Sequence, residues 1–174
     1  MRKETSFEKV AADDALVLIL GSMPGIASLK ARQYYAHPRN LFWNIMGEIF
    51  GFGRDLPYPE RIQRLQQNRV ALWDVAHQCE RVGSLDSNIK SGSVIVNDFN
   101  DLFESSPQIG ALFFNGQKSS QLYQRLVAPT LPEKFQSLSQ YTLPSTSPAH
   151  ASLSREEKVK QWSQVRETLA TLTG

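Results

Sequence analysis

Five consecutive apolar residues, Leu16 to Leu20, run unbroken up to Gly21 and Pro24. A short run without polar alternation suits a strand buried on both faces. Similar runs occupy Val70 to Val75 and Ile109 to Phe114, and a weaker one surrounds Tyr141 to Leu143. Between them the pattern becomes helical over Leu41 to Phe50, Pro59 to Gln67, roughly Asp98 to Ser105, and Lys118 to Leu126. A last helix is predicted from Val159, Trp162, Val165, Leu169 and Leu172, which recur at helical spacing after Ser154-Arg155-Glu156-Glu157. That tetrapeptide is a capping box, in which the serine and Glu157 satisfy free amide donors at the helix start.

Strands separated by helices cannot pair as simple hairpins. The order therefore predicts an α/β fold, a three-layer α/β/α sandwich with a central, mostly parallel four-stranded sheet. The chain has 174 residues, 41% of them hydrophobic, which suits one domain over residues 1–174 better than two. Repeats and low-complexity tracts are absent from the sequence. No apolar stretch follows the early basic residues and no apolar run approaches a membrane span, so neither a signal peptide nor membrane attachment is expected.

The single cysteine, Cys79, cannot form an intramolecular disulfide or a cysteine-rich zinc site, which points to a reducing cytoplasm. The three histidines lack any H-x-x-x-H pair, so no metal set is expected. A net charge of +2 permits contact with nucleic acid without requiring it.

In open parallel sheets, ligands bind beyond the carboxyl ends of the strands. Four loops therefore matter. The first reads Gly21-Ser22-Met23-Pro24-Gly25, followed by Gln33-Tyr34-Tyr35-Ala36-His37-Pro38-Arg39-Asn40-Leu41-Phe42-Trp43. The second is Asp74-Val75-Ala76-His77, the third Asn115-Gly116-Gln117-Lys118, and the fourth Leu143-Pro144-Ser145-Thr146-Ser147-Pro148-Ala149-His150.

GSMPG near the N-terminus, then AHPRNLFW, then LPSTSPAH before a final helix resembles the uracil-DNA glycosylase superfamily, and the likeness spans most of the chain. The mismatch-specific and single-strand-selective branches have a G-x-N-P-G first motif whose asparagine helps place the attacking water. Here that position is Met23, and a thioether cannot orient water as an amide does. GSMPG with YYAHPRNLFW instead resembles the hypoxanthine-DNA glycosylase branch, which acts on deoxyinosine and whose catalytic asparagine lies in the second stretch, at Asn40 on this chain. The resemblance implies a monofunctional glycosylase that flips a deaminated base out of DNA and hydrolyses its N-glycosidic bond, initiating base excision repair, with hypoxanthine the preferred base. Some superfamily relatives bear iron–sulfur clusters, but one cysteine cannot hold one, so no cofactor is expected. DNA is the expected partner, and a monomer is the default.

Breaking this bond leaves positive charge on the sugar and negative charge on the base, so electrostatic support on both sides counts more than a strong nucleophile. The flipped base also needs a stacking ring and hydrogen bonds to its polar edge. Asn40 is the catalytic candidate through its amide, although asparagine before Leu41-Phe42-Trp43 is also a good helix N-cap. A lone carboxylate after a buried run needs a reason, and Asp74 could accept the ring N–H that uracil and hypoxanthine carry and adenine lacks. A capping or loop-bracing aspartate is the alternative.

The resemblance places the stacking ring at Tyr35, with Tyr34 as the alternative, and leaves Phe42 and Trp43 to the core. Ser22 and Met23 belong to the base-binding set through the first motif. Asn115 reads as a base contact or as a brace for its own loop. Ser145, Thr146, Ser147 and Pro148 match the superfamily's second motif, which presses into the minor groove, with His150 a further DNA contact. His37, before Pro38, could fix the approach to Asn40. Lys30 and Lys118 lie near these loops, and neither is evidently placed for Schiff-base chemistry.

Three other functions compete. A broader glycosylase for uracil or xanthine keeps the fold and changes the base, whereas Met23 favours a catalytically inert nucleic-acid-binding domain. A phosphate-binding NTPase or dinucleotide fold lacks the G-x-x-x-x-G-K-[ST] or G-x-G-x-x-G that would hold phosphates.

Overall fold

A computed structural model describes residues 2–174. Its centre is a four-stranded sheet built from β2 (Val17–Gly21), β3 (Val70–Asp74), β6 (Ala111–Asn115) and β7 (Ser139–Leu143), in the order β3-β2-β6-β7. All three pairings are parallel, with Ile19 opposite both Leu72 and Phe113. The expected sheet is thus present and wholly parallel. Every residue of β2, β3 and β6 is buried, because helices cover both faces and leave no side for polar alternation. At the edge, β7 is half exposed and contains Ser139 and Gln140.

Around the sheet lie α1 (Ile26–Ala31), α2 (Phe42–Phe50), α3 (Tyr58–Gln67), α4 (Phe99–Ser105), α5 (Gln117–Leu122), α6 (Glu133–Gln136), α7 (Arg155–Trp162) and α8 (Gln164–Thr173). Phe42, Trp43 and Trp162 bring α2 and α7 into the core, and the Phe42 and Trp162 rings meet edge to face at 6.1 Å. The predicted last helix is two helices meeting at Ser163. Ser163 turns its hydroxyl onto the Val159 carbonyl at 2.9 Å, a back-bond that bends helices. Its start is as expected, with the Ser154 hydroxyl accepting from the Glu157 amide at 3.2 Å. The helix expected over Lys118 to Leu126 gives way after Leu122 to a π-helical turn over Tyr123–Val127.

A second sheet was not expected. It joins β1 (Arg2–Thr5), β4 (Ala76–Arg81) and β5 (Ile95–Val96) in antiparallel pairs. His77, read as a loop residue, belongs to β4 and is exposed. Arg81 at the end of β4 is buried, pairs with Glu4 of β1 at 2.7 Å, and donates to the Pro24 carbonyl. A buried ion pair is weak evidence for stability, but this one ties the small sheet to the first loop. Beneath that loop Met23 packs with Ala76, Cys79 and Ile89.

This strand order has its topological switch between β2 and β6, where such folds open a crevice beyond the strand ends.

Candidate active site

A cavity opens at that switch. Gly21 and Ser22 leave β2, Asp74 closes β3, Asn115 closes β6, and Ser145 to Pro148 follow β7. Tyr35, His37 and Asn40 come in from the segment before α2. The strands thus deliver residues far apart in sequence to one place, as the parallel sheet requires.

Gly21 is a glycine for a steric reason. A Cβ there would sit 2.5 Å from Asp74 Oδ1 and 2.9 Å from the Tyr35 hydroxyl. Both polar groups therefore crowd the end of β2. Asp74 is 3% exposed, and its Oδ2 is buried without a hydrogen-bond partner. Burial first, and then the negative charge of Asp86, raise the Asp74 carboxyl from 3.8 to about 7, with Arg81 opposing them. A buried acid without a partner on its Oδ2 and with its proton affinity raised marks a candidate functional group.

Tyr35 adopts a left-handed conformation, φ 56°, uncommon for an aromatic residue. The turn sends two consecutive tyrosines in different directions. Tyr34 goes into the core, donating its hydroxyl to the Glu8 carbonyl at 3.0 Å and meeting Phe7 edge-on. Tyr35 stacks on Phe42 at 4.1 Å and borders the cavity. Tyr34 also lines the cavity, and Tyr35 is the more exposed of the two. Its hydroxyl is buried without a partner, and burial, followed by the charge of Asp74, raises the phenol above its ordinary value.

Asn40 lies one residue before Leu41, the N-cap of α2. Its Oδ1 accepts from the Phe42 amide at 2.9 Å, a cap at the entry to α2, while the residue itself borders the cavity. Arg54 holds this stretch from behind. Its guanidinium donates to the Asn40 carbonyl at 2.7 Å, the His37 carbonyl at 3.0 Å and Asn44 Oδ1 at 3.1 Å. One planar fork thus fixes the backbone on both sides of Pro38-Arg39.

Asn115 faces the cavity but gives both ends of its amide to Thr146. Nδ2 donates to Thr146 Oγ1 and Oδ1 accepts from the Thr146 amide, both at 3.0 Å. Asn115 thus braces the fourth loop, one of its two sequence readings, while it lines the cavity. Thr146, 1% exposed, is the inner half of that brace. Its carbonyl accepts from the Leu41 amide at 3.0 Å, which joins the fourth loop to the start of α2. Ser145, Ser147 and Pro148 do line the cavity, and Ser145 Oγ accepts from the Ser147 amide at 3.2 Å. His150 lies apart, in a neighbouring groove with Gly116, Ser145 and Gln161.

Ser22 donates to Asp86 Oδ1 at 2.5 Å, and Met23 is 6% exposed against the small sheet. Asp86 and Ser84 belong to the excursion between β4 and β5 and also line the cavity. The Ser84 hydroxyl accepts from the Ile26 amide at 2.9 Å, holding the excursion against α1. Neither Asp86 nor Arg54 was found from sequence. Asp86 lies in a polar stretch without periodicity, and Arg54 in a glycine-rich connector. Among the described residues no group of three or more His, Cys, Asp or Glu could hold a metal ion, and no helix is long and apolar enough to cross a membrane.

With this geometry in hand, comparison with known proteins is informative. The model of the Uracil DNA glycosylase superfamily matches residues 7–172. A protein named Hypoxanthine DNA glycosylase from Methanosarcina acetivorans is 34% identical over 160 residues, covering 91% of this chain and 95% of its own. A protein of the same name from Methanosarcina barkeri is 37% identical over 120 residues, 68% of this chain and 75% of that one. The fold is similar to a solution NMR structure from Methanosarcina acetivorans, provisionally named a uracil DNA glycosylase. It has a TM-score of 0.81 at 32% identity and covers 97% of this chain and 99% of that one.

Proposed function

The chain belongs to the uracil DNA glycosylase superfamily, and we propose that within it this protein releases hypoxanthine from deoxyinosine in DNA. The protein is a DNA glycosylase that excises a deaminated base. The observation that carries the choice of base is the buried, unpartnered Asp74 carboxyl in one cavity with Tyr35 and Asn40. Hypoxanthine presents a ring N–H beside a carbonyl, an edge that a carboxyl group can meet at two points. The names of the two Methanosarcina relatives support the same base.

In this reading the flipped base stacks on Tyr35, whose far face is backed by Phe42. Asn40 supplies the amide that orients water or steadies the sugar–base region. Its Oδ1 retains a second lone pair beyond the cap to Phe42, and its Nδ2 remains a donor. Ser145, Ser147 and Pro148 meet the DNA backbone at the cavity mouth, with His150 in the adjoining groove as a contact outside the base site. Lys30 and Lys118 do not line the cavity, so hydrolysis proceeds without a covalent amine intermediate and without strand cleavage. The enzyme works as a monomer in the cytoplasm.

A broader specificity has one observation in its favour: uracil and xanthine share the edge that Asp74 would meet. Single-turnover base release from oligonucleotides with one deoxyinosine, deoxyuridine or deoxyxanthosine, single- and double-stranded, separates the readings. Preferential hypoxanthine release that is lost in Asn40→Ala is expected. Release of uracil alone would refute the choice of base, and tight binding without any release would select an inert DNA-binding domain.

A further inference from the structure

The two carboxyl groups of the cavity are not equivalent. Asp86 is partly exposed and accepts the Ser22 hydroxyl at 2.5 Å. Asp74 is 3% exposed, its Oδ2 is buried without a hydrogen-bond partner, and it has no ion pair among the described residues. Arg81 is the nearby cation, and it is engaged by Glu4 and the Pro24 carbonyl. An ionised Asp74 would thus be a buried charge compensated only by that shared cation, in one cavity with a second carboxyl group.

The chemistry adds a reason of its own. As the glycosidic bond breaks, its electron pair goes to the base, and a neighbouring carboxylate would repel that charge. A carboxylic acid would instead donate its O–H to the base carbonyl while its own carbonyl oxygen accepts the ring N–H. Building on the glycosylase reading above, we propose that Asp86, tethered by the Ser22 hydroxyl, is a positioning residue that keeps Asp74 protonated, so that the departing base meets an O–H donor.

Atoms balance in this step. The C1′–N bond breaks with its electrons on the base, and one water adds its oxygen to C1′. The proton that water loses replaces the one Asp74 passes to the base, so the base leaves neutral and Asp74 is restored. Asp74 titrates among several groups: Asp86 from the excursion after β4, Arg81 from β4, Tyr34 and Tyr35 from the segment before α2, and Tyr58 from α3. His37 also borders the cavity. Of these, Asp86 is the one negative charge that raises Asp74, after burial itself.

The test has two readouts on the full-length protein. Infrared difference spectra of wild type against Asp74→Asn report the protonated carboxyl of Asp74 without substrate. That band is expected to persist up to about pH 7 and to vanish at lower pH in Asp86→Asn, while Asp86→Glu, which keeps the charge, restores it. Single-turnover hypoxanthine release is expected to fall as pH rises above the same point, about tenfold per unit, with the fall displaced to lower pH in Asp86→Asn and restored in Asp86→Glu. An Asp74 already ionised at pH 6, or a wild-type rate that climbs through neutrality, overturns the proposal. A band that moves with Asp86 in a protein that releases no base would refute the glycosylase reading while upholding the link between the two carboxyls.

Discussion

Tyr35 contributes a ring to the site and wastes its hydroxyl. The ring stacks on Phe42 and borders the cavity, while the hydroxyl is buried at the end of β2 without a partner. Stacking a base on an aromatic face is worth about 1–3 kcal/mol, and a buried unsatisfied hydroxyl costs a comparable amount. Tyr35→Phe should therefore keep base release near the wild-type rate and raise the melting temperature by a few degrees, since about 1 kcal/mol moves a chain of this size by roughly 2–4 °C. Tyr35→Ala should lower kcat/KM by about tenfold to a hundredfold. Thermal melts and single-turnover rates on deoxyinosine DNA check both. Equal loss in the two variants would show that the hydroxyl, not the ring, does the work. Gly21 gives a second prediction at this scale. In Gly21→Ala the new methyl would meet Asp74 Oδ1 at 2.5 Å, so the acid must move and base release should drop at least tenfold. A Gly21→Ala enzyme of normal rate would mean that Asp74 need not stay where it is.

Between residue and molecule, the site depends on how the segment before α2 is held. Arg54 reaches three acceptors around His37, Asn40 and Asn44, while Thr146 links Leu41 to Asn115 from the other side. Arg54→Ala should leave the fold intact and reduce turnover by about a hundredfold, the scale of a 1 Å displacement of a catalytic group. Arg54→Lys should rescue little, since a point charge cannot fork between carbonyls. Unchanged turnover in a folded Arg54→Ala would remove the tether from the account. Sequence made the candidate residues of the cavity visible and left their supports hidden. Three of the four central strands stand out because burial on both faces writes an unbroken apolar run, and Asp74 then falls at the end of one of them and Tyr35 and Asn40 in the stretch after another. The small sheet is invisible for the opposite reason. β1 reads Arg-Lys-Glu-Thr, and β4 buries Arg81 where a core strand would show an aliphatic residue. Its pairing spans more than seventy residues and rests on an ion pair that no local pattern announces. Asn115 shows the limit from within the motif. Its position is legible, whereas its use as a brace for Thr146 depends on the fold.

Across the whole molecule, one group couples function to stability. Asp74 in the folded chain holds its proton until about pH 7, raised from 3.8 by burial and by Asp86. Unfolded, it releases that proton near its ordinary value. Between these two points the folded state binds more protons than the unfolded one, so this group's contribution to stability falls as pH rises. Its cost is absent below the unfolded value and complete above about pH 7, with a ceiling of about 4 kcal/mol. Asp74→Asn removes the titration and leaves an amide that also lacks partners. The variant should therefore be more stable than wild type at pH 8 by about 1–3 kcal/mol, with the gain shrinking to nothing or reversing near pH 4. Denaturant unfolding of both proteins across that range measures it directly. Above about pH 7, where Asp74 becomes an acceptor-only carboxylate, the same substitution should relax discrimination against adenine, because the amide can donate to the bare ring nitrogen of adenine as well as accept from the N–H of hypoxanthine. A variant that gains stability at high pH and loses selectivity would show that the acid is retained for the base it reads and at the expense of the fold. If stability and selectivity are both untouched, Asp74 is an ordinary buried residue and the choice of base needs another origin.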